Sequence, residues 1–308
     1  MRTTVAVATL RGLRLPMIAA PMTGVSTPEL VLAACAEGVV GSFPTHNARS
    51  VDELDVWLSR IAEGLADVPE AGPVAPNLVV HPTNRRLPAD LDCLRQHDVR
   101  VVITSVGSPA AVVPPLHEAG CAVLADVATL RQAHRAAEAG VDGLVLLTAG
   151  AGGQTGHANP FAFVRAVREF FDGVVVLAGG IADGRALWAA QVLGADLGYV
   201  GTPFIATHES AASDGYRSAL VAATLDDVRL SDAVSGLPAS ILAQWLDARE
   251  EAPVTSGDFQ EERLVANPDV WSAGHGVTQV RDVSPVAEVV AGIRASYEAA
   301  RGLVEHVR

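Results

Sequence analysis

Residues 174–202 read VVVLAGGIADGRALWAAQVLGADLGYVGT, and this stretch decides the fold. A β-branched run ends in Gly179-Gly180, an alanine-rich helical pattern follows, and a second apolar run ends in Gly201-Thr202. This order predicts two parallel strands joined by a helix. The glycines expose backbone N–H groups at both strand ends, one set at a helix N-terminus, and such groups bind phosphate. The stretch therefore predicts a phosphorylated cofactor as ligand.

The same alternation of short apolar runs and alanine-rich amphipathic stretches recurs along the chain, and we count eight units. Eight βα units predict an α/β fold, a (β/α)₈ TIM barrel. The predicted strands are Met17–Ala20, Val39–Ser42, Val74–Val80, Val101–Thr104, Ala122–Asp126, Gly143–Leu147, Val174–Ala178 and Leu197–Val200. The predicted helices are Pro28–Glu37, Val51–Ala66, Pro88–His97, Pro109–Ala119, Thr129–Ala139, Pro160–Phe171 and Asp183–Leu193.

The alternation stops after about Ser210. Residues 211–283 read as mixed helix and loop with no strand pattern, and Pro285–Ala300 reads as the last barrel helix. We therefore expect a barrel formed by residues 1–210 and 284–308, with a small, mainly helical cap at 211–283. The cap either covers the barrel mouth and excludes water from it or forms an outer layer away from any site.

Composition excludes several classes of function. All 22 basic residues are arginine, and the absence of lysine excludes Schiff-base chemistry. The net charge of −13, without a basic cluster, disfavours nucleic acid as a partner. The apolar stretches are too short to span a membrane and the first residues do not resemble a signal peptide, so we expect a cytoplasmic protein. The three cysteines lie in apolar patterns and are expected to be reduced, buried thiols.

In a TIM barrel the functional groups lie where strands end and the following loops begin. These positions hold Ala20-Pro21-Met22 after the first strand and Gly150–His157 after the sixth. The glycine-rich loop is no dinucleotide fingerprint, because Thr155 stands where G-x-G-x-x-G needs its last glycine. Its glycines either let the backbone approach a flat ring or simply make the loop flexible.

Eight stretches carry a family resemblance: AAPMTGVSTPEL (19–30), GVVGSF (38–43), NLVVHPTNRRLPADL (77–91), GAGGQTG (150–156), LAGGIADGRALWAAQVLGAD (177–196), GTPFIATHES (201–210), SGLPAS (235–240) and WSAGHGV (271–277). With these stretches the chain resembles the nitronate monooxygenase family, formerly called 2-nitropropane dioxygenases, which are FMN-dependent TIM barrels. The resemblance implies FMN as cofactor, with its phosphate held by the backbone of Gly179, Gly180, Gly201 and Thr202. It also implies that Ala20, Pro21, Met22, Asn77, Gly152 and Gly153 contact the cofactor near its ring.

One position departs from the family pattern. The family loop usually reads Ala-Gly-Gly-His, with the histidine as catalytic base or hydrogen-bond donor, and Gln154 stands in that place here. Glutamine cannot take up a proton at neutral pH, but it can donate an N–H to the oxygens of a nitro group. A nitronate, which is already deprotonated, therefore remains a possible substrate, whereas a neutral nitroalkane does not.

Other side chains are candidates for the site, each with a structural alternative. His157 in the same loop and His81 after the third strand are candidate bases, or they only bond to nearby backbone. His46 has a weaker claim of the same kind. Asp126, at the end of the fifth strand, is expected either to bind a ribityl hydroxyl or a substrate donor, or to cap the next helix. The histidine spacing shows no metal-ligand pattern, so no metal site is expected.

The sequence supports three functions from different classes. The first is oxidation of alkyl nitronates with O₂ by an FMN-dependent monooxygenase. The second is an NAD(P)H-dependent flavin reductase or dehydrogenase that acts on a quinone or an enoyl thioester. The third is a non-catalytic barrel that binds a phosphorylated ligand. All three functions imply a small-molecule partner. The sequence does not decide the oligomeric state, and a homo-oligomer is one alternative.

Overall fold

The computed structural model describes residues 2–249, 259–260, 267 and 269–305. Eight of its strands form one parallel sheet in the order β2-β1-β9-β8-β6-β5-β4-β3. The strands, in chain order, are β1 (Met17–Ala19), β2 (Val40–Gly41), β3 (Asn77–Val79), β4 (Val101–Ser105), β5 (Ala122–Val127), β6 (Gly143–Leu147), β7 (Gly153–Gln154), β8 (Val174–Ala178), β9 (Leu197–Val200), β10 (Val228–Ser231) and β11 (Ala239–Leu242).

The two edges of the parallel sheet meet and close it into a barrel. Parallel bridges join Gly41 to Val74 and Pro44 to Asn77, which brings β2 beside β3. The backbone N–H of Asn77 donates to the carbonyl of Phe43 at 2.8 Å. The predicted (β/α)₈ TIM barrel is therefore confirmed, and its strands start and end close to where the apolar runs do.

The barrel helices lie outside the strands, and only one predicted helix is split. Pro109–Ala119 divides into a 3₁₀ turn, Pro109–Ala111, and a separate helix, because Pro114 and Pro115 lack the N–H groups that a continuous helix needs. The helices are α1 (Arg2–Arg11), α2 (Pro28–Ala36), α3 (Val51–Leu65), α4 (Leu87–Gln96), α5 (Val113–Ala119), α6 (Leu130–Glu138), α7 (Pro160–Arg168), α8 (Gly184–Leu193), α9 (Thr202–Ile205), α10 (Asp214–Ala222), α11 (Ala243–Asp247) and α12 (Val286–Glu305).

Residues alternate between two hydrophobic clusters along each strand. In β5, Leu124 packs inside the barrel, whereas Val123 and Ala125 pack against the surrounding helices. The first helix, α1, which the sequence pattern did not reveal, places Leu10 in the interior cluster. No helix in the described ranges is long and apolar enough to cross a membrane. The three cysteines are free and buried, as expected.

Residues 211–283 contain strands that the sequence pattern does not show. β10 and β11 pair antiparallel, and β11 also pairs with β7, which belongs to the glycine-rich loop of the barrel. Strand β10 is largely exposed and β7 has only two residues, so neither has the apolar run by which a strand is detected. The boundaries proposed for the cap and barrel remain a prediction.

Candidate functional site

A cleft opens at the carboxyl ends of the barrel strands. Its empty space, including the open mouth, is about 1380 Å³. The loops after β1, β2, β4, β6, β8 and β9 contribute to it, together with residues of β3 and β5. Twelve of the sequence-predicted site residues line it: Ala20, Pro21, Met22, Asn77, Asp126, Gly152, Gly153, Gln154, Gly179, Gly180, Gly201 and Thr202.

The glycines that follow β8 and β9 form an open cradle in this cleft. Gly179 and Gly180 have φ angles of +130° and +70°, which favour glycine. A Cβ atom on Gly180 would meet no atom within 4 Å, whereas one on Gly179 would lie 2.4 Å from Thr148 Oγ1. The hydroxyl of Thr202 already accepts from the N–H of Gly274 at 2.9 Å. A hydroxyl that accepts one hydrogen bond keeps its own O–H donor, so the cradle offers a phosphate this hydroxyl together with backbone N–H groups.

Gln154 is held at the cleft by backbone pairing with β11. Its partner across the β7–β11 ladder is Ala239, and Gly153 pairs with Ser240 in the same way. The next residue, Thr155, donates its backbone N–H to the carbonyl of Pro238 at 3.0 Å. The half-buried glutamine side chain therefore has a fixed backbone beneath it, which suits a group that must orient a substrate.

The glycine-rich loop packs against the segment 272–276. The carbonyl of Gly150 accepts from the backbone N–H of His275 at 2.9 Å. A Cβ on Gly152 would lie 2.7 Å from the nitrogen of Gly274, so no larger residue fits there. Close backbone packing therefore explains this glycine without a ligand, and neither flexibility nor room for a ring is needed to account for it.

The histidines are distributed differently from the expectation. His157 is exposed. His81 contacts Thr83 through Nδ1 at 2.8 Å and packs its ring against Phe259. Neither His81 nor His157 is among the described residues that line the cleft. His46 does line it, with Nε2 3.0 Å from Thr23 Oγ1. Burial, helped by the Arg86 charge, lowers the pKa of His46 to about 4, so its ring is uncharged at neutral pH.

Asn77 and the loop after β1 are oriented by hydrogen bonds. The hydroxyl of Ser105 donates to Asn77 Oδ1 at 3.0 Å, so the amide nitrogen is the group that Asn77 can offer a ligand. Asn47 donates to the carbonyls of Met22 and Ser26, both at 2.9 Å. These contacts fix the wall of the cleft on the β1 and β3 side.

Asp126 lies on the inner face of β5 and does not cap α6. The N-cap residue of α6 is Thr129, whose side chain accepts from the N–H of Gln132. Asp126 Oδ1 and the hydroxyl of Tyr199 are buried, and neither has a hydrogen-bond partner within the described residues. Burial raises the pKa of Asp126 to about 8.

Sequence reasoning missed Tyr199 and the cap residues of the cleft. Tyr199 could have been found by its spacing, since it is two residues after the inward-facing Leu197 of the same strand. The cap residues carry no such signal, because their place depends on tertiary pairing. The cap contributes mainly small or apolar side chains, among them Val234, Ser235, Ala239, Ile241, Val270 and Ser272.

One group of possible metal ligands lies outside the cleft lining. Asp55, Cys93 and His97 have ligand atoms within 4.8 Å of one another, and His97 Nε2 lies 2.6 Å from Asp55 Oδ1. Cys93 lies on α4 and His97 follows directly after that helix, so spacing among the histidines alone does not reveal this group. The expectation of no metal site remains a prediction.

Comparison with known proteins identifies the family. The family model described as nitronate monooxygenase matches residues 75–297. The chain belongs to the nitronate monooxygenase family. It is 31% identical over 291 residues to the nitronate monooxygenase of Paraburkholderia phytofirmans, an alignment that covers 80% of each chain. The resemblance inferred from the motifs is therefore confirmed, and the chain is an oxidoreductase enzyme.

Two solved structures have the same fold. A nitroalkane oxidase from Streptomyces ansochromogenes superposes with a TM-score of 0.83 at 25% identity, covering 96% of this chain and 99% of that one. FabK from Thermotoga maritima superposes with a TM-score of 0.83 at 23% identity, covering 100% and 99%. At the second identity level the likeness concerns the fold alone.

Proposed function

We propose that the protein is an FMN-dependent nitronate monooxygenase that oxidises alkyl nitronates with O₂. The observation that carries the substrate class is Gln154, fixed by the β7–β11 ladder at the position where the family usually has histidine. His81 and His157 lie off the described lining of the cleft, and His46 is a weak base. A substrate that arrives already ionised needs no base, so a nitronate suits this cleft better than a neutral nitroalkane.

The residues of the cleft fit FMN. The open cradle at Gly179, Gly180 and Gly201 would hold the phosphate through backbone N–H groups. Asn77 has an amide N–H for the ring, and the buried, unpartnered Asp126 and Tyr199 call for a polar ligand. When bound, FMN supplies the electron acceptor and the site at which O₂ is reduced.

The protein's own groups then bind and orient the substrate. The Gln154 amide would donate N–H groups to the two oxygens of the nitronate, which spreads the negative charge without moving a proton. The side chains that the cap contributes would surround the alkyl chain and exclude water. These are positioning and binding roles, and none of them requires a titratable group beside the reacting carbon.

An anaerobic titration tests the proposal. The purified protein should absorb as oxidised flavin between roughly 350 and 500 nm, and an alkyl nitronate should bleach that absorbance. The corresponding neutral nitroalkane, added below its own pKa, is the matched control and should leave the absorbance unchanged. No bleaching by a panel of short and long alkyl nitronates would contradict the proposal.

The second candidate, an NAD(P)H-dependent reductase acting on a quinone or enoyl thioester, is favoured by the largely apolar cap lining, which suits a bulky apolar substrate. Rapid anaerobic bleaching of the flavin by NADH or NADPH would support it.

The third candidate is a non-catalytic phosphate-binding barrel, which would purify with a phosphorylated metabolite and without flavin absorbance. Membership of an enzyme family argues against it.

A further inference from the structure

Asp126 and Tyr199 lie on the inner face of the barrel, and the proposed function assigns neither of them a particular ligand atom. Asp126 is two residues after Leu124 on β5, and Tyr199 is two residues after Leu197 on β9. Because side chains alternate along a strand, both share the inner face with leucines of the barrel core. Both also line the cleft, where that core ends. They therefore form the floor on which a ligand in the cleft would rest.

Both groups lack the partners that buried polar atoms normally have. Asp126 Oδ1 and the Tyr199 hydroxyl are shielded from solvent and unpaired within the described part of the chain. Leaving such groups unsatisfied destabilises a protein, and native structures rarely do so without a ligand or water. Two such atoms at one end of one cleft indicate that the ligand itself completes the hydrogen bonding.

The side chains around Asp126 and Tyr199 decide whether these two groups are charged. The titratable side chains of the described lining are Asp126, Tyr199, Tyr216 and His46, and no arginine is among them. The Tyr216 hydroxyl is already bonded to the carbonyl of Ser272, and His46 is uncharged at neutral pH. Nothing in this set compensates a carboxylate, which is why burial raises the pKa of Asp126 to about 8 and, with Asp126, that of Tyr199 far above its usual range.

We propose that Asp126 and Tyr199 act as a pair of uncharged O–H donors that bind acceptor atoms of the flavin ring. Uncharged donors suit the neutral carbonyl oxygens of such a ring, whereas the dianionic phosphate is better matched by the glycine cradle. This inference rests on the proposed flavin cofactor, but not on nitronate as substrate. Its consequence is that alkaline pH converts one donor into a negative charge beneath the ring and weakens binding.

The test measures the FMN dissociation constant at about pH 6.5 and about pH 9, on either side of the Asp126 titration. The wild-type protein should bind FMN at least about tenfold more weakly at the higher pH. Asp126→Asn keeps a donor but cannot ionise, so its affinity should hardly change between the two values. Tyr199→Phe should bind roughly three- to tenfold more weakly at both values and keep the pH dependence.

Equal pH dependence in wild type and Asp126→Asn would overturn the role of Asp126, and unchanged affinity in Tyr199→Phe would overturn that of Tyr199. Infrared spectroscopy adds a measurement that needs no folded variant, because a protonated carboxyl band should be present in the wild type at about pH 6.5 and lost at about pH 9. Its absence at the lower pH would also overturn the proposal. Failure of nitronate to bleach a flavin that binds with this pH dependence would contradict only the proposed function.

Discussion

Substitution of Gly184 by alanine is expected to destabilise the barrel strongly. Gly184 is the first residue of α8, where α8 crosses α12. A Cβ there would lie 2.0 Å from the backbone nitrogen of Tyr297 and 2.2 Å from the backbone oxygen of Ile293. Both obstacles are backbone atoms of a helix, so the clash cannot be relieved by rotating a side chain, and the two helices must separate.

The expected magnitude follows from that contact. Overpacking of a core usually costs about 1–3 kcal/mol, and a clash with two backbone atoms belongs at or above the upper end. A loss of about 3 kcal/mol corresponds to a melting temperature lower by roughly 5–10 °C in a chain of this size. The Ser296 hydroxyl, which accepts from the Gly184 N–H at 2.8 Å, would be displaced as well.

Gly292→Ala is the matched control, because it makes the same chemical change on the opposing helix. A Cβ on Gly292 would meet nothing within 4 Å, so the variant should gain up to about 1 kcal/mol from helix propensity. Thermal unfolding followed by circular dichroism measures both proteins. A Gly184→Ala melting temperature equal to that of the wild type would refute the packing argument.

Three further predictions concern the cleft. Gln154→His should raise the rate of neutral nitroalkane oxidation by about 100-fold in oxygen-uptake assays, because it restores a base, and an unchanged rate would show that position 154 does not limit the chemistry. In Gly201→Ala, the new Cβ would lie 3.5 Å from Ala20 and Met22 at a φ of −111°, so the variant should fold normally. It should bind FMN roughly 10- to 100-fold more weakly in a fluorescence titration. An affinity equal to that of the wild type would argue against the glycine cradle as the phosphate site. Because the folded-state pKa of Asp126 is raised from 3.8 to about 8, its contribution to stability is lost as the pH rises between these values. Asp126→Asn apoprotein should therefore gain stability relative to wild type over that range, by at most about 6 kcal/mol in urea titrations, and parallel pH profiles would contradict this.

The barrel was predictable because its strands are continuous apolar runs. Val174–Ala178 is buried at every position, so both ends of the strand are marked by the change to glycine or charge. α1 has no such signal, and its position depends on Leu10 packing inside the barrel rather than on a local pattern. Gly184 shows the same limit, since its requirement for glycine comes from Tyr297, which is far away in sequence.

The candidate site also contains residues that a local sequence motif predicts and residues whose place depends on tertiary packing. Glycines at strand ends and Gln154 were found because they belong to local motifs at positions that the barrel fold brings together. His81 and His157 lie close in sequence to predicted strand ends, but the direction of a loop side chain depends on partners such as Phe259. Asp126 is recognisable as a strand-end residue, whereas its raised pKa follows from burial by the surrounding fold.

The pairing of β7 with β11 has a consequence for how the protein folds. The barrel strands are joined by short connections, but Gln154 and Ala239 meet only after the intervening chain has been laid down and its loop closed. Contacts between residues so distant in sequence form late. The chain between β7 and β11 must therefore be synthesised before the loop that carries Gln154 can be fixed, and a nascent chain that ends before β11 leaves the edge of β7 unpaired.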